Sequence, residues 1–498
     1  MPPRRSQSDY QPVTRARQSA TATSVFKGRR SKVASTALDD RTEDPTRISP
    51  ASSLSDVANE RKSLPTFLKP GHLFSYAALF LFTAILYARP GEFYPSPLTA
   101  SIALIVALAT LGFYLPTQLS LEGTLTARPR EVNLVLLFSL TALLSIPLAI
   151  DPLTAWHEFN GTFIRCIIIF IVMVNVVRTE ARLKGLLFLA LATGLWLSVG
   201  AINDYRLGLT TVEGYRVAGR GSGIFGNPND MALFLVSIVP VAIALACDSR
   251  HLVRKLFFGG SAILLFAAIA VTYSRGGFLG LLVALGFFAW KASPRRRVPM
   301  LIGLGLIVVI FLALVPGYTI RLVSIVFPSL DPVGSSDARR GELFRSLYVA
   351  LRHPILGIGM GNYAPQMSHH GQVAHNAYTH VAAEMGMAAL VCYTMFIVTP
   401  LKKLGQIARE TFSTRSSSKY YYLAIGLQAS LLGYMVSSFF ASVAYIWYVY
   451  YLVGYAVCLR RLYEAETGKE IVLAKDEGER TGKSYSTSPV LPRIEIAS

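Results

Sequence analysis

The sequence predicts an all-α polytopic membrane protein with about twelve transmembrane helices. Three observations carry that prediction. Of the 498 residues, 52% are hydrophobic and only 15% charged, where a soluble chain carries about 25% charged residues. Apolar runs of about 14 to 20 residues recur from Leu73 to Leu459, most of them long enough to cross a bilayer. The basic residues between those runs fall mainly in alternate loops, as insertion of a multi-spanning chain requires. Length alone suggests several soluble domains, but the apolar runs supersede that reading and point to one membrane domain over residues 67–460.

Before it, residues 1–66 are rich in Ser, Thr, Arg and Pro and lack apolar periodicity. They are expected to form a disordered basic cytoplasmic tail, because they cannot bury enough surface to offset chain entropy. The charges are not followed by the apolar core of a secretory signal peptide, and Asp39, Asp40, Glu43 and Asp44 argue against a mitochondrial-type presequence.

The predicted spans are Leu73–Ala88, Leu98–Tyr114, Val132–Ile150, Gly161–Val177, Gly185–Ile202, Met231–Cys247, Leu256–Thr272, Gly277–Trp290, Val298–Val315, Ala382–Pro400, Tyr421–Phe440 and Val443–Leu459. With the N-terminus inside, every inner loop carries Lys or Arg, from Arg128 and Arg130 to Lys402 and Lys403, whereas the outer loops are poorer. The topology is therefore N-in and C-in, with residues 461–498 as a second polar cytoplasmic tail. This placement accounts for most of the net charge of +19 and leaves no need for a nucleic-acid partner. The four cysteines lie in or beside apolar runs, form no CxxC, and read as small hydrophobes.

Two outer segments are longer than connections need to be: about 203–229 and 316–380. In the second, Leu343, Phe344, Leu347, Val349, Ala350 and Leu351 make a helical apolar stripe, so a short amphipathic helix on the outer membrane face is expected, followed by a turn at Gly357, Gly359 and Gly361. The outer side also holds arginines that topology disfavours: Arg216, Arg220, Arg275, Arg339, Arg340 and Arg345. Guanidinium keeps its charge and meets two oxygens at once, which suits phosphate. The competing reading pairs them with Glu213, Asp337 and Glu342 or lets them snorkel to the interface. Beyond them stand His369, His370, His375, Asn376, Tyr378, Thr379, His380 and Glu384 at the entry to a span. A helix starting near Ala374 would put His375, Tyr378 and Thr379 on one face and let His380 touch Glu384. A neutral histidine there can accept a hydroxyl proton. The spacing is not HExxH and lacks the cysteine and carboxylate companions of a zinc site, so no metal is expected. Asn227 or Asn229 is the expected N-cap of the span after Gly226.

These motifs together resemble the O-antigen ligase and polymerase superfamily of bacterial envelope proteins. The matching elements are Arg220–Gly221…Phe225–Gly226–Asn227–Pro228–Asn229, Ser274–Arg275–Gly276, Arg340…Leu343, His353–Pro354…Gly357–Ile358–Gly359 and His375–Asn376 with Gly386, covering about residues 203–400. The resemblance implies a GT-C-like membrane glycosyltransferase that needs neither metal nor cofactor. It would move a glycan from an undecaprenyl-diphosphate carrier to a lipid A-core, glycan or protein acceptor on the periplasmic face. Carried over residue by residue, it implies catalytic roles for Arg220, Arg340 and His375. Arg216 and Arg339 compete for the diphosphate, and Arg275 and Asn376 complete the substrate-binding set. The family's aromatic partner of the loop arginine is often Trp; here it is Phe344. Ligase, polymerase and protein O-oligosaccharyltransferase remain alternatives within the superfamily. A secondary transporter or flippase of a lipid-linked or anionic solute is the alternative from another class, though related halves and polar mid-membrane breaks are not evident.

Overall fold

A computed structural model describes residues 68, 71–210, 212–219, 223–330, 334–368, 371–415 and 417–471. The expected tails, Arg220, His369 and His370 lie outside the described residues. Helices follow one another as α1 (Leu73–Ala88), α2 (Pro97–Glu122), α3 (Arg130–Ser145), α4 (Ile164–Val176), α5 (Glu180–Arg206), α6 (Pro228–Asp248), α7 (Leu252–Val271), α8 (Arg275–Ala292) and α9 (Arg297–Leu314). After these come α10 (Pro316–Val323), α11 (Ser335–Arg352), α12 (Ala377–Glu410), α13 (Tyr421–Ser437) and α14 (Trp447–Thr467). The protein is thus an all-α polytopic membrane protein.

Each predicted span coincides with a helix, but they are not equivalent. Among the described residues, 10 helices are long and apolar enough to cross a membrane, or 11 if Arg297–Ala313 and Gly317–Val323, bent by 108°, count as one span. The twelfth expected span, Val443–Leu459, is the tyrosine-rich α14, which is buried almost throughout and therefore needs less apolar character than a lipid-facing helix. Centre and rim separate clearly: 83% of the apolar window of α6 is buried inside the protein, against 12% of that of α2.

Helices α6, α8 and α13 pack on one another, and α12 packs on α3, α11 and α13. Close approach of α8 to α13 depends on small residues, the usual device where lipid and side chains are equally apolar. A Cβ on Gly280 would meet the Gly433 carbonyl oxygen at 2.6 Å.

The glycine loop after α11 has a structural purpose. Helix α12 is broken at Gly386, whose φ of 83° and ψ of 179° are not helical. The backbone groups freed by the break are satisfied by the loop: Ile358 N donates to Ala383 O at 3.0 Å, Gly359 N to Glu384 O at 2.8 Å, and Met387 N to Pro354 O at 2.8 Å. The loop is anchored on its other side by Ile150 N donating to Ile358 O at 3.0 Å and Asp151 N to Asn362 Oδ1 at 2.8 Å. A Cβ on Gly386 would lie 2.2 Å from the Ile355 carbonyl oxygen. Gly386→Ala should therefore lower thermal stability in detergent by at least the roughly 1–3 kcal/mol of such a backbone strain. Gly303→Ala in α9, where nothing lies within 4 Å, should change it little or raise it slightly, and equal melting temperatures for the two variants would remove this account of the break.

Candidate active site

The site is built where three helix starts meet. Ser274 caps α8 by accepting from Gly277 N at 3.2 Å, which puts Arg275 in the first turn. Asn376 caps α12, its Oδ1 accepting from Tyr378 N at 2.9 Å and Thr379 N at 3.0 Å. Helix α11 begins at Ser335 after Gly334, whose φ is 70°. Arg275, Ser336 and Asn376 all line one cavity of about 380 Å3. The positive ends of three helix dipoles therefore converge on it, an arrangement that favours an anion.

One face of α11 supplies much of the lining. Ser336, Arg339, Arg340, Leu343 and Phe344 border the cavity, and their i, i+3, i+4, i+7 and i+8 spacing is a single helical stripe. His375 enters from the loop before α12, and Ile325, Val326, Phe439 and Phe440 add an apolar wall. The cavity thus combines cations, one imidazole and a greasy flank.

Electrostatics sharpen the picture. Arg275 is buried, and its Nη1 donates to Ser324 Oγ at 2.8 Å and to Ser336 Oγ, which ties α8 to α10 and α11. Burial, and then the charges of Arg275, Arg216 and Arg321, push the Arg339 guanidinium down to about 10. Arg340 lies over the Phe344 ring at 5.9 Å, so phenylalanine does take the place of the expected aromatic partner. Burial, followed by the Arg339 charge, pushes the His375 imidazole down to about 4. At neutral pH it is uncharged and able to accept a proton. The Asn376 Nδ2 amide is buried without a hydrogen-bond partner among the described residues, a donor left for whatever fills the cavity.

Arg216 has a different placement from the substrate-binding one expected. It is buried, does not line the cavity, and donates to Thr272 O at 2.9 Å, Glu213 Oε1 at 3.2 Å and Asn229 Oδ1 at 2.8 Å. It acts as a strut between the loop after α5, the start of α6 and the α7–α8 turn. Asn229 also accepts from Ser274 Oγ at 2.9 Å, while Asn227 is the N-cap of α6, accepting from Asn229 N at 2.8 Å. Arg345 likewise pairs with Glu342 at 2.8 Å, so the carboxylate-pairing reading holds for these two arginines.

The α12 start also differs from expectation. The helix begins at Ala377, and His375 stands outside it with φ 52°. Glu213 (φ 53°) and Tyr273 (φ 49°) share that left-handed conformation. Three of the five non-glycine residues with positive φ among the described residues thus belong to the α5–α6 and α11–α12 connections and the α7–α8 turn, and backbone strain of this kind gathers where surrounding structure imposes it for function. His380 and Glu384 do touch, at 3.2 Å. Glu384 Oε1 accepts from Tyr363 N at 3.0 Å, and the Tyr363 hydroxyl donates to Glu342 Oε2 at 2.7 Å, which locks α11 to α12 behind His375.

The apolar stripe of α11 divides between two faces. Its packed face is Glu342, Ser346, Val349 and Ala350, with Ser346 donating to Thr379 at 2.8 Å, whereas Phe344, Leu347 and Leu351 are exposed. Polar anchoring to α12 decides the inner face and leaves the greasy side outward, as suits a helix against lipid. Arg321 was not singled out by the sequence. It is buried, pairs with Glu213 at 2.8 Å and lies over the Tyr215 ring at 5.1 Å. It lies within the same long 316–380 segment as Arg339, Arg340 and Arg345, which the sequence does single out.

The fold and this site define a membrane-embedded helical protein with an anion-attracting, half-apolar cavity at one end of the bundle. Residues 260–394 match the family model described as O-Antigen ligase. The match supports the O-antigen ligase superfamily, a group of glycosyl-transferring membrane enzymes, and it contains every cavity-lining residue except Phe439 and Phe440. Among curated proteins, none matches this chain.

Proposed function

We propose that the protein transfers a glycan from an undecaprenyl-diphosphate carrier to an acceptor hydroxyl on the periplasmic face, in the manner of an O-antigen ligase. The observation that carries this reading is the cavity lining, with Arg275, Arg339, Arg340 and His375 set against Phe344, Phe439 and Phe440. A lipid diphosphate needs both halves: fixed cations for the phosphates and an apolar flank for the chain beside them.

In the proposed reaction, Arg339 and Arg340, with Arg275 behind them and Asn376 Nδ2 as a neutral donor, hold the diphosphate oxygens. Arg220, outside the described residues, is assigned to the same group. His375 accepts the acceptor's hydroxyl proton while that oxygen attacks the anomeric carbon from the side opposite the leaving group. The bond from the anomeric carbon to the phosphate oxygen breaks, the configuration inverts, and the lipid diphosphate departs with its new charge already surrounded by cations. No step calls for a metal ion or nucleotide sugar.

Purified full-length protein in liposomes, supplied with a lipid-diphosphate glycan, should release lipid diphosphate and form a glycosylated product only when a hydroxyl acceptor is present. Mass spectrometry of both products checks the balance. Movement of labelled glycan across the bilayer without transfer would favour the transporter reading and overturn this one. In cells lacking the gene, accumulated long lipid-linked polymers indicate a ligase and accumulated single repeats a polymerase.

A further inference from the structure

A second cavity of about 380 Å3 lies at the other end of the bundle, bordered by Arg128, Arg130, Lys403, Arg460, Arg461 and Glu464, among others. Helix α12 links the two ends: its cap Asn376 borders the first cavity, and Lys403 lies 27 residues further on, about 40 Å at the helical rise of 1.5 Å per residue. This site is unrelated to the chemistry proposed above and would stand without it.

We infer that this cavity binds a phosphate-bearing anion, the headgroup of an acidic phospholipid or a soluble phosphate. Five of its lining side chains are cationic, and two, Glu464 and Glu470, are acidic. Arg460 is already engaged, its two terminal nitrogens each donating to the buried Glu131 carboxylate at 3.0 Å. Glu464 is engaged as well, accepting from Ile471 N at 3.1 Å. Lys403 is not: it is 9% exposed and has no hydrogen bond or ion pair with any described residue. Its company is mixed, with Glu131 and Glu464 attracting it and Arg460 and Arg130 repelling it.

The need for insertion explains basic residues on this face but not an ammonium sunk into a concave pocket beside four arginines. Charged side chains avoid burial without a partner, because the desolvation is not repaid. An anionic group in the cavity repays it for Lys403 and bridges Arg128 and Arg130 at the start of α3 with Arg461 near the end of α14. Basic pockets between helices at a membrane surface are the usual seat of lipid phosphates.

The test titrates full-length protein in neutral detergent micelles with dioctanoyl phosphatidylglycerol, dioctanoyl phosphatidic acid and inorganic phosphate by calorimetry. Saturable binding of a lipid is expected, weakened roughly tenfold by Lys403→Gln, the size of one charge-assisted contact. Arg128→Gln, at an exposed position, should weaken it about threefold, and it carries the test alone if the lysine variant does not fold. Arg254→Gln, outside the cavity, should leave it unchanged. Inorganic phosphate binding as tightly as the lipids, with the same variant dependence, assigns the site to a soluble anion. Absence of saturable binding of all three, or binding unaltered by both cavity substitutions, overturns the inference.

Discussion

His375→Ala protein that inserts and melts normally is expected to lose about 10²–10⁴-fold in transfer rate, the range of a general base. The pH profile gives this prediction its specific form. In the free enzyme the imidazole is held down at about 4 by burial and the Arg339 charge, so it stays uncharged, and competent as a base, well below the ordinary histidine range. The acid limb of kcat/KM should therefore fall near that value instead of near 6.5. Binding of the diphosphate cancels positive charge around the ring and lets its proton affinity rise, so the acid limb of kcat should lie at higher pH than that of kcat/KM. The alanine variant should lose both limbs. Full activity in His375→Ala, or a kcat limb below the kcat/KM limb, would remove His375 from the role of base.

The second large effect is expected at Arg339, and it runs in opposite directions for activity and stability. Among the described residues no carboxylate makes an ion pair with this half-buried side chain, and Arg275, Arg216 and Arg321 oppose its charge against the weaker attraction of Glu213. Arg339→Ala should cost about 10²–10³-fold in kcat, as does loss of one preorganised donor at a developing anion. The same change relieves like-charge repulsion, so the melting temperature should stay level or rise. That combination marks a residue kept for binding at some expense in stability. Removing the Arg339 charge should also raise the proton affinity of His375, moving the acid limb of kcat/KM upward. A destabilised variant with unchanged activity would make Arg339 a structural residue instead. Arg340→Lys tests the neighbouring position, since lysine keeps the charge while losing the fork and the stack on Phe344.

Much of this architecture is legible in the chain itself. Apolar run length, the alternation of basic and less basic connections, and a cap such as Asn227 are local properties, and local physics decides them. Contact between His380 and Glu384 follows from helical spacing alone. The arginines of the two long connections and the α7–α8 turn can be gathered as a set for the same reason. Their separation into roles cannot.

That separation depends on contacts between residues far apart in the chain. Arg216 is a strut because it reaches Thr272 and Asn229, and Arg321 because it reaches Glu213, whereas Arg275, Arg339 and Arg340 border a cavity with His375. A nearby carboxylate does not separate the two groups, since Glu213 stands close to Arg216 in the chain and Glu342 close to Arg340. The glycine loop at Gly357–Gly361 is visible as a turn, but its partner, the broken backbone of α12 at Gly386, becomes evident only with both segments in place. The division of the α11 apolar stripe between a packed and an exposed face likewise reflects packing of Glu342 and Ser346 onto other elements. Membrane class, helix order and the candidate residue types are consequences of short-range chemistry and are written in the chain. Which charges are neutralised within the protein and which are left for a ligand is settled by folding, because that depends on burial and on distances between residues remote in sequence.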